Sequence, residues 1–438
     1  MSFRWSIAAV IMLTLSGTLA AQNVAASRKE HEGMAKRDDY SWVRGSNFIP
    51  SYAATDVEIW NRFDPGVVDR ELGYAERLEL NSIRIFLQYH VYELYPQKFL
   101  KNVATFVDLC DKHGIKPMLI VFDSCFGVSP SINSGEFWVA NPGPDRTNPD
   151  FYPAGEKYVK DLVGLFRDDP RILFWDVMNE PTATPLAGTD EGQKLIWDFV
   201  RHFCDYIHRI DDTHPVTVGV AGTDNSQIID HVDVLSMHSY NKEADGFRKD
   251  IQSTRKQAET AGKPFIISEC CAPGWGCQYE MVMPIVREEK IGFYIWEVMI
   301  ARTQFRNIAG LFYPDGTVRR LSQIEAVLGK PAVGLVEKPD SEGEPISAGP
   351  PVKELVAPTI RRMVGTATND ENYSERYTLL MALSRHLKML GDKSDEVTKQ
   401  LDAADALRKG GRPTEAFSQI DRLLKIAQQT LLELQPGK

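Results

Sequence analysis

The sequence predicts an α/β protein, a (β/α)8 barrel followed by a small C-terminal α-helical region. Three observations carry this. Short apolar, β-prone runs alternate with amphipathic stretches between Trp42 and Gly329, giving eight strand–helix units. That span agrees with the roughly 250 residues typical of such a barrel. Two of the runs lead into glutamates, Glu180 and Glu269, at the strand ends that form the catalytic face of a parallel barrel. A doubly wound open sheet would carry a Gly-rich phosphate turn after the first strand, and no G-x-G-x-x-G stands there.

The 438 residues allow two or three domains, and the net charge of -10 argues against a nucleic-acid partner, which asks for a basic patch. Residues 1–21 read as a signal peptide: one Arg before Trp5, apolar Ser6 to Leu15, then small residues at Ala20-Ala21. The apolar run is short of the roughly 20 residues a membrane span needs, so no span is expected once the signal is removed. A secreted or periplasmic location follows. Residues 22–40 are a charged, aperiodic lead and 41–330 the barrel. Residues 331–351, rich in Pro, Gly, Ser and Glu, are a linker, and 352–438 a helical region.

Trp42 to Ile49 is the first strand, followed by a loop with Tyr52, Trp60 and Phe63. Pro65 to Leu80 is helical, with Pro near the start, where it is tolerated. Ser82 to Leu87 is strand two. Arg84 lies inside it, and a charge in a buried strand must be paired or belong to a site. Phe99, Val103, Phe106, Val107 and Cys110 mark an amphipathic helix. Lys116 to Phe122 is strand three, ending in Asp123-Ser124-Cys125. The long loop from Phe126 to Pro153 contains Phe137 and Trp138 and lies on the mouth side, where it shapes a cleft. Tyr158, Val159, Leu162, Val163 and Phe166 form the next helical face.

Ile172 to Met178 lacks a polar face, which suits a strand buried on both sides. Asn179-Glu180 ends it, and Pro181 bars the ladder from continuing. Leu195, Ile196, Phe199, Val200, Phe203 and Ile207 make a helix. Pro215 to Ala221 and Val232 to Met237 are strands five and six, the latter closing with His238-Ser239-Tyr240. Phe247 to Gly262 is helical, and Lys263 to Ser268 is strand seven, reaching Glu269. Gly274-Trp275-Gly276 lies in the loop behind it. Tyr279 to Lys290 is helical, Ile291 to Trp296 is strand eight with Glu297 directly after, and Arg319 to Gly329 is the last helix.

In the tail, Tyr377, Leu380, Leu387 and Leu390 form one stripe, and Phe417, Ile420, Leu424, Ala427 and Leu431 another. Gly410-Gly411-Arg412-Pro413 is a turn between helices of a short antiparallel hairpin or bundle. The tail is too short for a large core. Packing on the barrel, self-association and binding of a protein partner are all open to it. Cys110 and Cys204 fall on apolar helix faces and read as buried free thiols. Cys270, Cys271 and Cys277 surround Glu269, and Cys125 ends strand three. A bridge from Cys277 to Cys270 or Cys271, or one to Cys125, is open. The spacing matches no zinc pattern.

A barrel brings strand ends that are distant in sequence to one mouth. Two carboxylates there are the equipment of glycosidic cleavage, one as acid then base, the other as nucleophile or water activator. One glutamate after one strand is an ordinary polar loop. The second strand ending in the same way turns the reading toward chemistry.

On these residues, Trp42 to Gly329 resembles the retaining glycoside hydrolases of clan A, most closely glycoside hydrolase family 5, the cellulase and mannanase family. The resemblance rests on Gly45-Ser46-Asn47-Phe48, Asn179-Glu180, His238-x-Tyr240, Glu269 and Trp296. It implies Glu180 as acid/base and Glu269 as nucleophile. Arg84 and Tyr240 would hydrogen-bond the nucleophile, and His238 would lie near the acid/base and the sugar. Asn179 would hold the sugar 2-hydroxyl, and Trp296 would be the platform under the reacting ring. Many members carry a His near the end of strand three; this chain has Asp123, with His90 one loop earlier. Asp123, and the aromatic loop residues Trp60 and Trp275, are expected to touch substrate.

The resemblance thus implies a retaining β-glycosidase cleaving β-linked poly- or oligosaccharide by double displacement, with β-glucan or β-mannan as the default. It implies no metal or organic cofactor. Glu180 must hold a proton, so its pKa is expected to be raised by burial and by the charge of Glu269. The rival from another class is an inactive carbohydrate-binding barrel with a helical interaction module. Such a binder is expected to have lost a glutamate, Arg84 or the platform Trp, and the sequence keeps them all. An aldolase would want a Schiff-base lysine at a strand end, whereas Lys116 and Lys263 open their strands.

Overall fold

The structure is a computed structural model. It describes residues 39–338, except 124 and 126–137, together with scattered positions between 400 and 426. The eight strands are β1 (Arg44–Asn47), β2 (Ser82–Phe86), β3 (Lys116–Asp123), β4 (Phe174–Asn179), β5 (Val216–Gly219), β6 (Leu235–Ser239), β7 (Phe265–Cys270) and β8 (Gly292–Ile295). They form one sheet in the order β5-β4-β3-β2-β1-β8-β7-β6, and every laddered pair is parallel. Most strands run over fewer residues than the apolar stretch suggests; β1, for example, covers four residues inside Trp42 to Ile49. By contrast, β3 extends through Asp123 and β7 is shifted to end at Cys270.

β5 and β6 face one another without a regular ladder. The backbone N–H groups of Asp233 and Val234 donate to the Val216 carbonyl, and that of His238 to the Val220 carbonyl. The Thr217 hydroxyl donates to the Val234 carbonyl at 2.8 Å. These bonds complete a nearly closed (β/α)8 barrel.

The helices are α1 (Asp56–Asn61), α2 (Pro65–Arg77), α3 (Tyr89–Leu94), α4 (Pro96–Lys112), α5 (Tyr152–Phe166), α6 (Asp190–Ile210), α7 (Ala244–Ala261), α8 (Tyr279–Glu289) and α9 (Leu321–Leu328). Asp64 caps α2 by accepting from the N–H groups of Gly66 and Val67, with Pro65 at the first position. The β5–β6 connection departs from the eight-unit expectation, for it crosses in turns and holds no α-helix. Its Gly222-Thr223-Asp224-Asn225-Ser226 run is turn chemistry. Asn225 fixes it by donating from its side chain to the Ser236 carbonyl at 3.1 Å.

Side chains alternate across each strand, so every second residue faces the barrel axis. On β2 this sets Ser82, Arg84 and Phe86 in one row. Tyr294, Met118, Phe174 and Ile266 belong to a small apolar cluster separate from the main core. Ser82 joins that level through its hydroxyl, 2.7 Å from the Tyr294 hydroxyl. Arg84 follows one step nearer the C-terminal ends, in a polar layer with Asn47 and Asp176. Tyr294 also explains Gly45, where an added Cβ would stand 2.3 Å from its ring.

Between 400 and 426 the described residues are helical on both sides of a turn at 410–411, where Gly411 has φ 77°. The export signal, the linker from 339, and Tyr377, Leu380, Leu387, Leu390, Leu424, Ala427 and Leu431 lie outside the described residues. No helix among the described residues is long and apolar enough to cross a membrane.

Candidate active site

β4 delivers Asn179 as its last residue, and the chain turns at once. Glu180 has φ 40°, a left-handed conformation that costs a residue with a Cβ of order 1–3 kcal/mol. The turn is held by Glu180 N–H donating to the Gly219 carbonyl at 2.7 Å. Three ladder irregularities coincide with the ends of the functional strands. They lie between Asp176 and Asn179, between Met237 and His238, and between Ile267 and Cys270. Bulges re-aim side chains, and here the re-aimed residues are Asn179, His238 and Glu269. The shifted register sets His238 directly opposite Glu269.

Arg84 is the centre of the site and is fully buried. Its guanidinium donates to Asp176 Oδ2 at 2.9 Å, Asn47 Oδ1 at 2.8 Å, Glu269 Oε1 at 2.5 Å and Asn179 Oδ1 at 2.7 Å. Burial works against its charge, but Asp176 and Glu269 outweigh that and raise its pKa. Asp176 also accepts from Gly219 N–H at 2.9 Å. The Tyr240 hydroxyl donates to Glu269 Oε2 at 2.7 Å, and Tyr240 is kept protonated by burial and by the charge it faces.

Glu180 is held from both sides. Its Oε1 lies 2.7 Å from His238 Nδ1, and the Cys125 thiol donates to its Oε2 at 2.8 Å. His238 Nδ1 is also 3.4 Å from Glu269 Oε2. One oxygen of each glutamate and this nitrogen all lie within 4.8 Å of one another. The expected upward pKa shift of Glu180 does not hold. Burial does push its pKa up, but the hydrogen bond and charge of His238, the Cys125 S–H and the charge of Arg84 together bring it below the usual carboxylate value.

A cavity of about 160 Å³ opens over these groups, lined by Glu180, Glu269, Asp123 and Cys125 among aromatic walls that include Trp138, Trp275 and Trp296. Trp296 packs edge-on against Phe86 and Phe305, and Trp275 edge-on against Tyr240. Asp123 is tied down three times, by Trp138 Nε1 at 2.6 Å, Cys125 N–H at 2.9 Å and Asn179 Nδ2 at 3.1 Å. Burial nevertheless pushes its pKa up to about 7.

Arg84, Asn179, His238, Tyr240, Glu180, Glu269, Asp123, Trp275 and Trp296 therefore meet at one mouth. Trp60 does not. It lies in α1, is fully buried, donates from Nε1 to the Phe86 carbonyl at 2.6 Å and stacks on Phe63. No face of its ring is left for a sugar. Glu297 is buried and its carboxyl oxygens have no hydrogen-bond partner. Burial and the charge of Glu269 push its pKa well above the usual value. The six cysteines are all free and buried. Cys270 and Cys271 approach to 3.7 Å between sulfurs, while Cys125 turns to Glu180.

Sequence reasoning missed Asn47, Asp176, Gly219 and the role of Cys125. Asp176 carried a signal of the same kind as Arg84, a charge inside a buried strand. Trp138 stood out only as an aromatic in a long loop, and residues 126–137 before it lie outside the described residues.

Residues 95–308 match the family model for the TIM barrel domain of glycosyl hydrolases family 2, a little under half of the chain. Mannan endo-1,4-beta-mannosidase F of Aspergillus clavatus is 29% identical over 126 residues, covering 28% of this chain and 27% of that protein. A probable mannan endo-1,4-beta-mannosidase C of Aspergillus terreus is 24% identical over 210 residues, covering 42% and 45%. The chain thus matches less than half the length of these relatives. Among solved structures, an exo-beta-1,4-mannosidase from Opitutaceae bacterium strain TAV5 superposes with a TM-score of 0.51 at 17% identity, over 65% of this chain and 58% of that one. That likeness concerns the fold. The family model is that of family 2, whereas the motifs resemble family 5; a glycoside hydrolase barrel is common to both.

Proposed function

We propose that the protein is a retaining β-glycoside hydrolase acting on β-linked mannan or a related β-glycan. The observation that carries this reading is the close approach of Glu180 and Glu269, whose nearest oxygens fall within 4.8 Å. Retaining enzymes hold their carboxyls about 5–5.5 Å apart, whereas inverting enzymes leave about 6.5–9.5 Å for a water. Mannan enters from the names of the relatives, and the family 5 assignment from the strand-end motifs.

Glu269 attacks the anomeric carbon while Glu180 protonates the leaving oxygen. A glycosyl-enzyme forms on Glu269, and Glu180 then takes a proton from water to release it. Arg84 and the Tyr240 hydroxyl hold Glu269 with both oxygens occupied, which keeps it aimed. The proton for the acid step belongs to the Glu180–His238 pair. For the step to run, the leaving oxygen must replace one of the donors that hold Glu180 in the free protein. Asn179, oriented by Arg84 on one side and Asp123 on the other, has an amide N–H to spare for a sugar hydroxyl. The aromatic walls exclude water and give the ring a surface to lie against. Export by the N-terminal signal belongs to the same reading.

The test is hydrolysis of β-1,4-mannan, glucan, xylan and aryl β-glycosides by wild type, Glu180→Gln and Glu269→Gln. Activity on one glycan is expected, with Glu180→Gln losing roughly 10²–10⁴-fold and least on aryl glycosides whose leaving group needs no proton. Folded, sugar-binding protein with no turnover on the panel would favour the inactive-binder reading instead.

A further inference from the structure

We propose that Cys125 is a positioning residue for the acid/base: its thiol occupies Glu180 Oε2 in the free protein and is displaced by the leaving oxygen when a glycan enters. The inference deepens the hydrolase reading and rests on it.

Glu180 has a separate donor on each oxygen. His238 Nδ1 lies 2.7 Å from Oε1, and the Cys125 thiol donates to Oε2 at 2.8 Å. Only one of these donors borders the space where a sugar would lie. Cys125 lines the cavity beside Glu180, Glu269 and Trp296, whereas His238 is not among the lining residues. His238 is laddered opposite Glu269, and its Nδ1 is also 3.4 Å from Glu269 Oε2. The Cys125 side of Glu180 is thus the cavity side, and the thiol stands where the leaving oxygen must come.

The thiol is also the donor that yields at least cost. S–H is a weak hydrogen-bond donor. Cys125 lies two residues past Asp123, the last residue of β3, and is anchored by its backbone N–H, which donates to Asp123 Oδ1 at 2.9 Å. Its side chain turns about a single χ angle without disturbing that anchor. A thiol is ordinarily protonated at neutral pH, and burial with the charges of Glu180 and Asp123 pushes the pKa of Cys125 further up, so it meets Glu180 as S–H.

A donor of this kind favours the ionised carboxylate, and its withdrawal lets Glu180 hold a proton more readily. That proton sits on Oε2 and passes to the leaving oxygen as the glycosidic bond breaks, while the thiol keeps its own. His238, Arg84, Glu269, Asp123 and Tyr240 also face Glu180, and they stay in place when the thiol turns away.

The experiment compares pH profiles of wild type, Cys125→Ala and Cys125→Ser on the glycan that wild type hydrolyses. kcat/KM reports groups of the free enzyme and kcat those of the complex. In wild type the alkaline limb of kcat/KM should lie below that of kcat. Cys125→Ala should raise the kcat/KM limb by roughly 0.5–1 pH unit and leave the kcat limb in place. Cys125→Ser, which offers a hydroxyl, should restore the wild-type separation. The backbone N–H that Asp123 accepts survives both substitutions, so titration of Asp123 is common to all three proteins. A packing role alone would lower the rates at every pH without moving a limb; unmoved limbs, or limbs that move together, would overturn the proposal. Infrared spectroscopy checks the contact without turnover. The S–H stretching band of Cys125, isolated by subtracting the Cys125→Ala spectrum, should move to higher frequency in Glu180→Gln, and a band that stays put would overturn it too. Hydrolysis with unmoved limbs sinks only the role of the thiol, whereas no hydrolysis of any glycan sinks the hydrolase reading and the displacement together.

Discussion

At the scale of single residues, Arg84 and Asp123 carry the strongest consequences. Arg84 pairs with both Asp176 and Glu269 in a buried layer. Arg84→Met keeps much of the volume but leaves two carboxylates without their cation. A loss of about 3–5 kcal/mol is expected in denaturant unfolding, and a loss below 1 kcal/mol would show that the two carboxylates find other partners. Asp123 links stability to pH. Its pKa rises from 3.8 in the unfolded chain to about 7 in the folded one. Across that window the folded chain keeps a proton that the unfolded chain has released, so stability falls as pH rises. Below the window the residue contributes nothing, and above it the penalty is complete, up to about 4 kcal/mol. Asp123→Asn cannot titrate, so its melting temperature should fall less steeply between about pH 4 and 7 than that of wild type. Parallel curves would refute the link.

At the scale of elements, the ends of β4, β5, β6 and β7 do more than carry residues. Gly219, the last residue of β5, is small because Arg84 lies against it. A Cβ there would stand 2.4 Å from Arg84 Nη2 and 3.2 Å from Asp176 Oδ2. Gly219→Ala should therefore push the guanidinium off both carboxylates, costing about 1–3 kcal/mol and lowering kcat/KM together with stability. Unaltered kinetics in a folded variant would mean that Arg84 tolerates the shift. The apolar run, the Asn-Glu stop and Pro181 made β4 legible in the sequence. The bulges that turn Asn179, His238 and Glu269 into the mouth were not, because a bulge is a mismatch between two strands and neither strand encodes it alone.

At the scale of the whole molecule, the barrel sets the distance between Glu180, directly after β4, and Glu269 on β7, and in the proposed hydrolase that distance sets the stereochemistry. Retention is expected: proton NMR of an early reaction mixture should show the β-anomer of the new reducing end before mutarotation. The α-anomer appearing first would make Glu269 a general base and not a nucleophile. The same closure decides which aromatics line the cavity. Trp275 and Trp296 line the cavity, while Trp60, equally aromatic but set in α1, is packed among Phe63, Phe99 and Phe106.

The amino-acid order alone determined the barrel, its strand sequence, the two glutamates and the buried arginine, because apolar periodicity and a charge within it are local properties of a chain. The partners of those groups needed the tertiary structure. Asp176 and Asn47 reach Arg84, and Cys125 and His238 reach Glu180, only once closure of the sheet brings β1, β2, β3, β4 and β6 together. The pKa of Glu180 turned on this same point. Burial, which the sequence implies, raises it, and a histidine 58 positions away, the Cys125 thiol and Arg84 together lower it further than burial raises it. Electrostatics in a closed site depends on distances through space, and the chain reveals those only when folded.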